Sequence, residues 1–142
     1  MTAVTPELVE AYKRTRYRVD GSPPFHLRVD VPSAPLAALM TRFGAASAAL
    51  ITAWNPYSAP CTAEENARVQ GRLQAELEAL GLGIVPGFGE WEDAPSEGEP
   101  SFLVIGIDAA RACDLGRRYR QHAILLAEGD AVPRLVLLSP VA

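Results

Sequence analysis

Residues 48–66 read Ala48-Ala49-Leu50-Ile51-Thr52-Ala53-Trp54, then Asn55-Pro56-Tyr57-Ser58-Ala59-Pro60-Cys61, then Thr62-Ala63-Glu64-Glu65-Asn66. The first seven are nearly all apolar and too few for a helix, which suits a strand buried on both faces. The middle seven are rich in turn formers. Thr62 followed three residues later by Glu65 is a capping box, the signature of a helix N-terminus. Val69, Leu73, Leu77 and Leu80 then carry an apolar stripe to a stop at Gly81. At about 100° per residue, Asn66 falls in the middle of that stripe, so its amide points at the core. Burying an unpaired amide costs about 1–3 kcal/mol, so Asn66 needs partners, and Asn55 and Ser58 in the loop are the nearest.

Outward from this unit, Pro6 to Lys13 carries Leu8, Val9 and Tyr12 at helical spacing behind Thr5, which predicts a short helix packed as a lid. Tyr17 and Val19 alternate with arginines, and Phe25, Leu27, Val29 and Val31 alternate with polar residues. Both read as half-buried strands, joined through Gly21-Ser22-Pro23-Pro24. Ser33 to Phe43 places Leu36, Leu39, Met40 and Phe43 on one helical stripe before Gly44. Gly83 to Gly98 is rich in Gly, Pro and acid, and reads as a surface excursion with at most a short strand at Ile84-Val85. Phe102 to Ile107 is a buried strand, and Asp108 caps a helix with Ala112, Leu115, Gly116 and Tyr119 on one face. His122 to Ala127 is a strand that turns at Glu128-Gly129-Asp130 and pairs with Arg134 to Leu138.

Phe25 to Trp54 and Phe102 to Ala127 share a strand-helix-strand plan, a weak internal repeat whose crossovers would be parallel. The expected fold is α/β in the α+β sense. It comprises a single-layer mixed sheet of about five to seven strands with three to four helices packed on it, in one globular domain spanning residues 1–142.

The 142 residues carry ordinary charged and apolar fractions, which excludes wholesale disorder. No apolar run is long enough for a membrane helix, and Met1 to Lys13 lacks a signal-peptide layout, so no membrane partner is expected and the cytoplasm is the expected compartment. Cys61 and Cys113 are lone thiols, consistent with a reducing compartment. The net charge of −4 argues against nucleic acid, although Lys13, Arg14, Arg16 and Arg18 cluster early and Arg111, Arg117, Arg118 and Arg120 late. If the two groups met, they would make an anion site. Glu90, Glu92, Asp93, Glu97 and Glu99 form an acid-rich stretch. Two isolated histidines and two isolated cysteines show none of the paired spacings of zinc sites, so neither a metal nor a cofactor is expected.

Tyr12 with Thr15 and Tyr17, Ile51-Thr52-Ala53-Trp54-Asn55-Pro56 with Ser58 and Glu65-Asn66, Glu99-Pro100-Ser101-Phe102, and Gly116 with Gln121 form a combination. It resembles the bacterial proteins catalogued as domain of unknown function 3293, over about Tyr12 to Val136. The resemblance implies no established activity. It adds Glu99, Ser101 and Gln121 to the positions of interest. On their own residues, Ser101 and Gln121 each open a buried strand, where capping suffices to explain them. Glu99, before Pro100, reads as a solvated residue at a loop end. Trp54 and Trp91 could wall a pocket.

The leading functional expectation is a non-catalytic binding domain. Its site is Asn55, Ser58 and Asn66, with Trp54, Thr52, Glu99, Ser101 and Gln121, and it takes a small polar molecule or peptide. Ligands in open α/β sheets bind beyond the carboxyl ends of strands, where this loop sits. Glu64 and Glu65 neutralise the helix end, which disfavours phosphate and favours a neutral polar ligand. The alternative is a small hydrolase or transferase using Glu99 or Cys61, the thiol lying next to the helix N-terminus with His26 or His122 brought near by folding. RNA binding through Arg117 and Arg118, with Tyr17 and Tyr119 for stacking, is the weaker third reading.

Overall fold

The fold is built on a strand that has no solvent side. In a computed structural model that describes residues 2–142, apart from the side chains of residues 95–97, all four residues of β3 (Ala48–Ile51) are buried. Glu97 of the acid-rich stretch therefore lies outside the described side chains. Ala48 and Leu50 face one core cluster with Leu36 and Met40 of α2 (Ala34–Arg42). Ala49 and Ile51 face a second, with Leu73 and Leu77 of α3 (Ala63–Ala79) and Ala112 and Leu115 of α4 (Ala109–Arg118). An apolar run without alternation is the sequence of a strand covered twice.

Around β3 the sheet has seven strands in the order β2-β1-β4-β5-β3-β6-β7. These are β1 (Arg16–Val19), β2 (Phe25–Leu27), β4 (Gly83–Trp91), β5 (Ala94–Ile105), β6 (Ala123–Ala127) and β7 (Arg134–Leu137). With four helices, including α1 (Pro6–Arg14), this is the expected α+β class. Every neighbouring pair is antiparallel, whereas the sequence repeat predicts parallel pairs. The reason is insertion. The unit β3-α3-β4 does run its two strands parallel, but β5 sits between them, and β3 in turn sits between the parallel strands of β5-α4-β6. Two interlocked split units follow the β-α-β-β-α-β plan of ferredoxin-like folds. The repeat is also reassigned, because α2 packs on the face opposite α4 and the unit containing it is not equivalent to β5-α4-β6.

The largest departure from expectation is the stretch Gly83 to Gly98, which is a long hairpin rather than a surface excursion. β4 and β5 pair from Gly83↔Ile105 to Glu90↔Gly98, with a register shift at Glu90/Trp91. Gly and Pro read as loop formers, but here the missing side chains serve packing. On the α2-facing side of β4 the residues are Val85, Gly87 and Gly89. A Cβ on Gly87 would come 2.6 Å from the Arg18 carbonyl oxygen of β1, so only glycine lets the two strands approach. Gly98, with φ +148°, pairs with Glu90, and a side chain there would run into the Gly89 carbonyl on the facing strand. No helix among the described residues is long and apolar enough to cross a membrane.

Two glycines test this account in opposite directions. Gly71 is exposed inside α3, and a methyl group added there would meet nothing within 4 Å, so Gly71→Ala should stabilise by about 0.5–1 kcal/mol. Gly87→Ala should destabilise by about 1–3 kcal/mol because backbone, not a flexible side chain, must move. Urea titrations of both variants give the two signs.

Candidate functional site

The site begins with the register of α3. Thr62 accepts from the Glu65 amide at 3.1 Å and fixes where the helix starts. That start turns Asn66 and Gln70 inward, in line with Leu73 and Leu77, and all four are buried. Asn66 Oδ1 accepts from the Asn55 backbone N–H at 2.9 Å, and its Nδ2 donates to Asn55 Oδ1 at 2.7 Å. Asn55 Oδ1 also accepts from the Cys61 amide at 3.1 Å. The clamp holds a loop in which Asn55, Tyr57 and Ser58 have φ of 44°, 53° and 60°. Left-handed conformations in residues other than glycine cost on the order of 1 kcal/mol each and persist only where surroundings hold them.

Gln70 escapes the sequence reading although it lies one turn beyond Asn66 on the same stripe. Its Oε1 accepts from the Ala53 amide at 2.8 Å and its Nε2 donates to the Pro100 carbonyl at 3.2 Å, tying β3 to β5. Thr52 donates to that same carbonyl at 2.7 Å and accepts from the Trp54 amide at 3.0 Å. Gln121 Nε2 donates to the carbonyls of Trp54 at 3.3 Å and Tyr119 at 3.2 Å. Asn66, Gln70 and Thr52 thus have their side-chain polar atoms engaged in holding the loop, as does Gln121 through Nε2.

What the loop closes over is a cavity of about 460 Å³ between α1 and the α2-facing side of the sheet, a usual size for a small-molecule pocket. Leu8 and Ala11 of α1 form its roof, and Leu50, Leu125 and Leu135 part of its apolar wall. At the other end lie Tyr12, Asn55, Ser58, Glu99 and Ser101. Thr52 and Gln121 also line it; Asn66 and Trp54 do not. Trp91 lines the cavity while remaining 45% exposed. The floor exists because Gly89 brings no side chain into this space.

Glu99 is not at a solvated loop end. It lies within β5 on the cavity side, half-buried, and Asn55 Nδ2 donates to its Oε1 at 3.3 Å. Burial pushes its pKa up to about 7, against a smaller opposing effect from the Asn55 hydrogen bond. Among the described residues no basic side chain lies within ion-pair distance of it. Two residues on, Ser101 likewise sits well inside β5 rather than opening a strand, and its buried Oγ has no hydrogen-bond partner among the described residues. Tyr12 Oη lies 3.3 Å from Ser58 Oγ. Burial raises the Tyr12 pKa, the Ser58 contact lowers it, and Glu99 raises it again. Tyr17 is raised further, chiefly by burial, and donates to the Tyr12 carbonyl at 3.0 Å.

The remaining candidates are not gathered here. Cys61 is exposed and outside the cavity lining. His26 is bonded to Glu90 at 2.7 Å, and His122 to Ser139 at 2.8 Å and the Tyr57 carbonyl at 3.1 Å, so neither stands by as a base for the thiol. The basic clusters do not converge on an anion site: Arg14 pairs with Glu92, Arg18 with Asp20 and Glu90, and Arg118 with Glu76 and Asp114. Among the described residues no three His, Cys, Asp or Glu side chains are grouped as metal ligands.

The family model described as protein of unknown function (DUF3293) matches residues 51–124, just over half of the chain, and the chain belongs to that family. The matched span runs from the last residue of β3 into β6 and contains Asn55, Ser58, Asn66, Gln70, Glu99, Ser101 and Gln121, while Tyr12 and the rest of α1 lie before it. No curated protein and no solved structure matches the chain.

Two measurements check this geometry. Asn66→Ala removes both bonds of the clamp and should destabilise by about 1–3 kcal/mol in urea titrations, with proteolysis of the loop over residues 55–61 becoming faster. For Glu99 the sign follows from its raised pKa. Between about pH 4.5 and pH 7 the unfolded chain has released this proton and the folded chain retains it, so stability falls as pH rises through that window. With allowance for water reaching a half-buried carboxyl, Glu99→Gln should be on the order of 2 kcal/mol less sensitive to a shift from pH 5 to pH 8.

Proposed function

We propose that this family member is a small-molecule-binding domain whose cavity takes a compact, non-anionic organic molecule. Its apolar body would lie against Leu8, Leu50, Leu125 and Leu135, and its polar head against Glu99, Asn55, Ser58 and Ser101. In this reading Asn66, Thr52, Gln121 and Trp54 act through the loop they hold and do not touch the ligand. The observation that carries it is Glu99, a carboxyl facing a cavity with one hydrogen bond and no cation beside it. Placing an acid so that its charged form is destabilised is a cost that packing does not require, and such groups concentrate in binding and catalytic clefts. The unpartnered Ser101 hydroxyl adds a second unmet bond on the same strand face. The volume suits a small molecule rather than a peptide segment.

A second reading, a small hydrolase or transferase with Glu99 as general acid and base, draws support from the same carboxyl. A pKa of about 7 lets one group both give and take a proton near neutrality. Cys61, exposed and away from the cavity, contributes nothing to that chemistry.

Filling the cavity separates a binding role from mere packing. Ala11→Trp places a ring from α1 into the roof, and Ala123→Leu adds bulk from β6. A panel of small alcohols, amides and amines at saturating concentration should raise the melting temperature of the wild type by several degrees for at least one class. Neither filled variant should respond. Equal shifts in wild type and both variants would place binding elsewhere.

A further inference from the structure

We infer that the molecule held in this cavity is an organic cation, an amine on a compact apolar body, with Glu99 as its counter-ion. The inference rests on the cavity being the ligand site. It follows from what the lining offers and what it lacks.

The lining has few free donors. Asn55 Nδ2 is given to Glu99, Gln121 Nε2 to two carbonyls, and the Tyr17 hydroxyl to the Tyr12 carbonyl. Acceptors are in excess. Glu99 Oε2 has no partner among the described residues, and the Tyr12 and Ser58 oxygens have only each other. One hydroxyl proton of the Tyr12–Ser58 pair and that of Ser101 are available as donors, but Glu99 Oε2 is satisfied only by a ligand that brings an N–H or O–H group. Charge narrows the choice. The ionisable carboxyls lining the cavity are Glu92, Asp93 and Glu99, against one guanidinium, Arg14, which is 3.2 Å from Glu92. With that pair set aside, Asp93 near the hairpin turn and Glu99 inside are left without a cation. An anion would meet two like charges. A cation would meet a counter-charge in a partly desolvated site, where pairing is stronger than at an open surface. Tyr12, Tyr17 and Trp91 border the same space, and aromatic rings attract cations through their ring electrons.

The same inventory fixes how binding depends on pH. The titratable groups facing Glu99 are Tyr12 from α1 and Tyr17 from β1, with Arg14, Glu92 and Asp93 at the cavity rim. Both tyrosines are pushed up from their ordinary range and keep their protons at neutrality. Glu99 must be ionised to pair with an ammonium group, so binding releases its proton wherever that proton is still held.

Benzylamine, benzyl alcohol and benzoate share a body and differ in the head, and calorimetric titration of the full chain with each tests the inference. At pH 8, benzylamine should bind wild type at least ~tenfold more tightly than benzyl alcohol, and benzoate should not bind measurably. Between pH 8 and pH 6 the affinity for benzylamine should fall about tenfold, with proton release seen as a dependence of the heat on the buffer. In Glu99→Gln the preference for the amine and its pH dependence should both disappear, while benzyl alcohol binding persists. Benzyl alcohol binding as tightly as benzylamine, or an unchanged preference in Glu99→Gln, overturns the cation and leaves the cavity reading standing. Failure of all three probes to bind wild type overturns both.

Discussion

The paired amides of Asn55 and Asn66 are the contact on which the candidate site depends. Their geometry is set from a distance by Thr62, whose cap fixes the phase of α3 and thereby which residue of the first turn faces inward. With Asn66 inward, one amide satisfies both the backbone N–H and the side-chain oxygen of Asn55. That leaves Asn55 Nδ2 free to reach Glu99 across the end of the sheet. The chain from helix cap to cavity therefore has three links, each a hydrogen bond. An apolar residue at position 66 would satisfy the helix stripe but leave the left-handed Asn55 without the two bonds that tie it to α3.

The cavity itself is made by absence. A seven-stranded sheet with helices on both faces would ordinarily be filled by side chains at native density. Here β4 contributes Gly87 and Gly89 on the face where its neighbours contribute Tyr17, Glu99 and Ser101. The close approach of β1 at Gly87 and the open floor at Gly89 are two uses of the same missing Cβ. α1 roofs this space with no buried residue of its own, so its attachment owes less to core packing than that of α2, α3 or α4. A roof held loosely over a cavity is the part of the fold that can move without disturbing either core cluster.

The parts legible in the sequence are those where one local signal dominates. The helix starts at Thr5, Thr62 and Asp108, the unalternating run of β3, and the inward amide of Asn66 all read directly from spacing. Gln70 carries the same helical-phase signal as Asn66 and is legible for the same reason, though an amide on an apolar stripe is easily passed over. The β4–β5 hairpin is not legible, because Gly, Pro and acid mark a loop when side chains are assumed to carry the packing, and here their absence does. The interlocking of the two split units is hidden too. Which strand inserts between which is decided by long-range pairing, to which helical and strand periodicities are blind. Glu99 reads as solvated for the same reason, since its burial follows from lying inside a strand that composition does not suggest.

Unfavourable features are not spread evenly over this molecule. Three of the six left-handed residues other than glycine, a carboxyl destabilised by burial and a buried hydroxyl with no partner among the described residues lie at one end of β3 and the strand beside it, while Asp30 and Ala131 adopt the same backbone region elsewhere. Away from that end, the core clusters are apolar and the buried Ser33 hydroxyl is bonded to the Leu36 amide. Packing alone would be served better there by a glutamine at 99 and an alanine at 101. Strain and unmet polarity that converge on a single cavity are what a fold retains when another molecule completes the missing contacts. The carboxyl at 99 adds what a glutamine could not: a charge that burial disfavours and that an arriving counter-ion would favour.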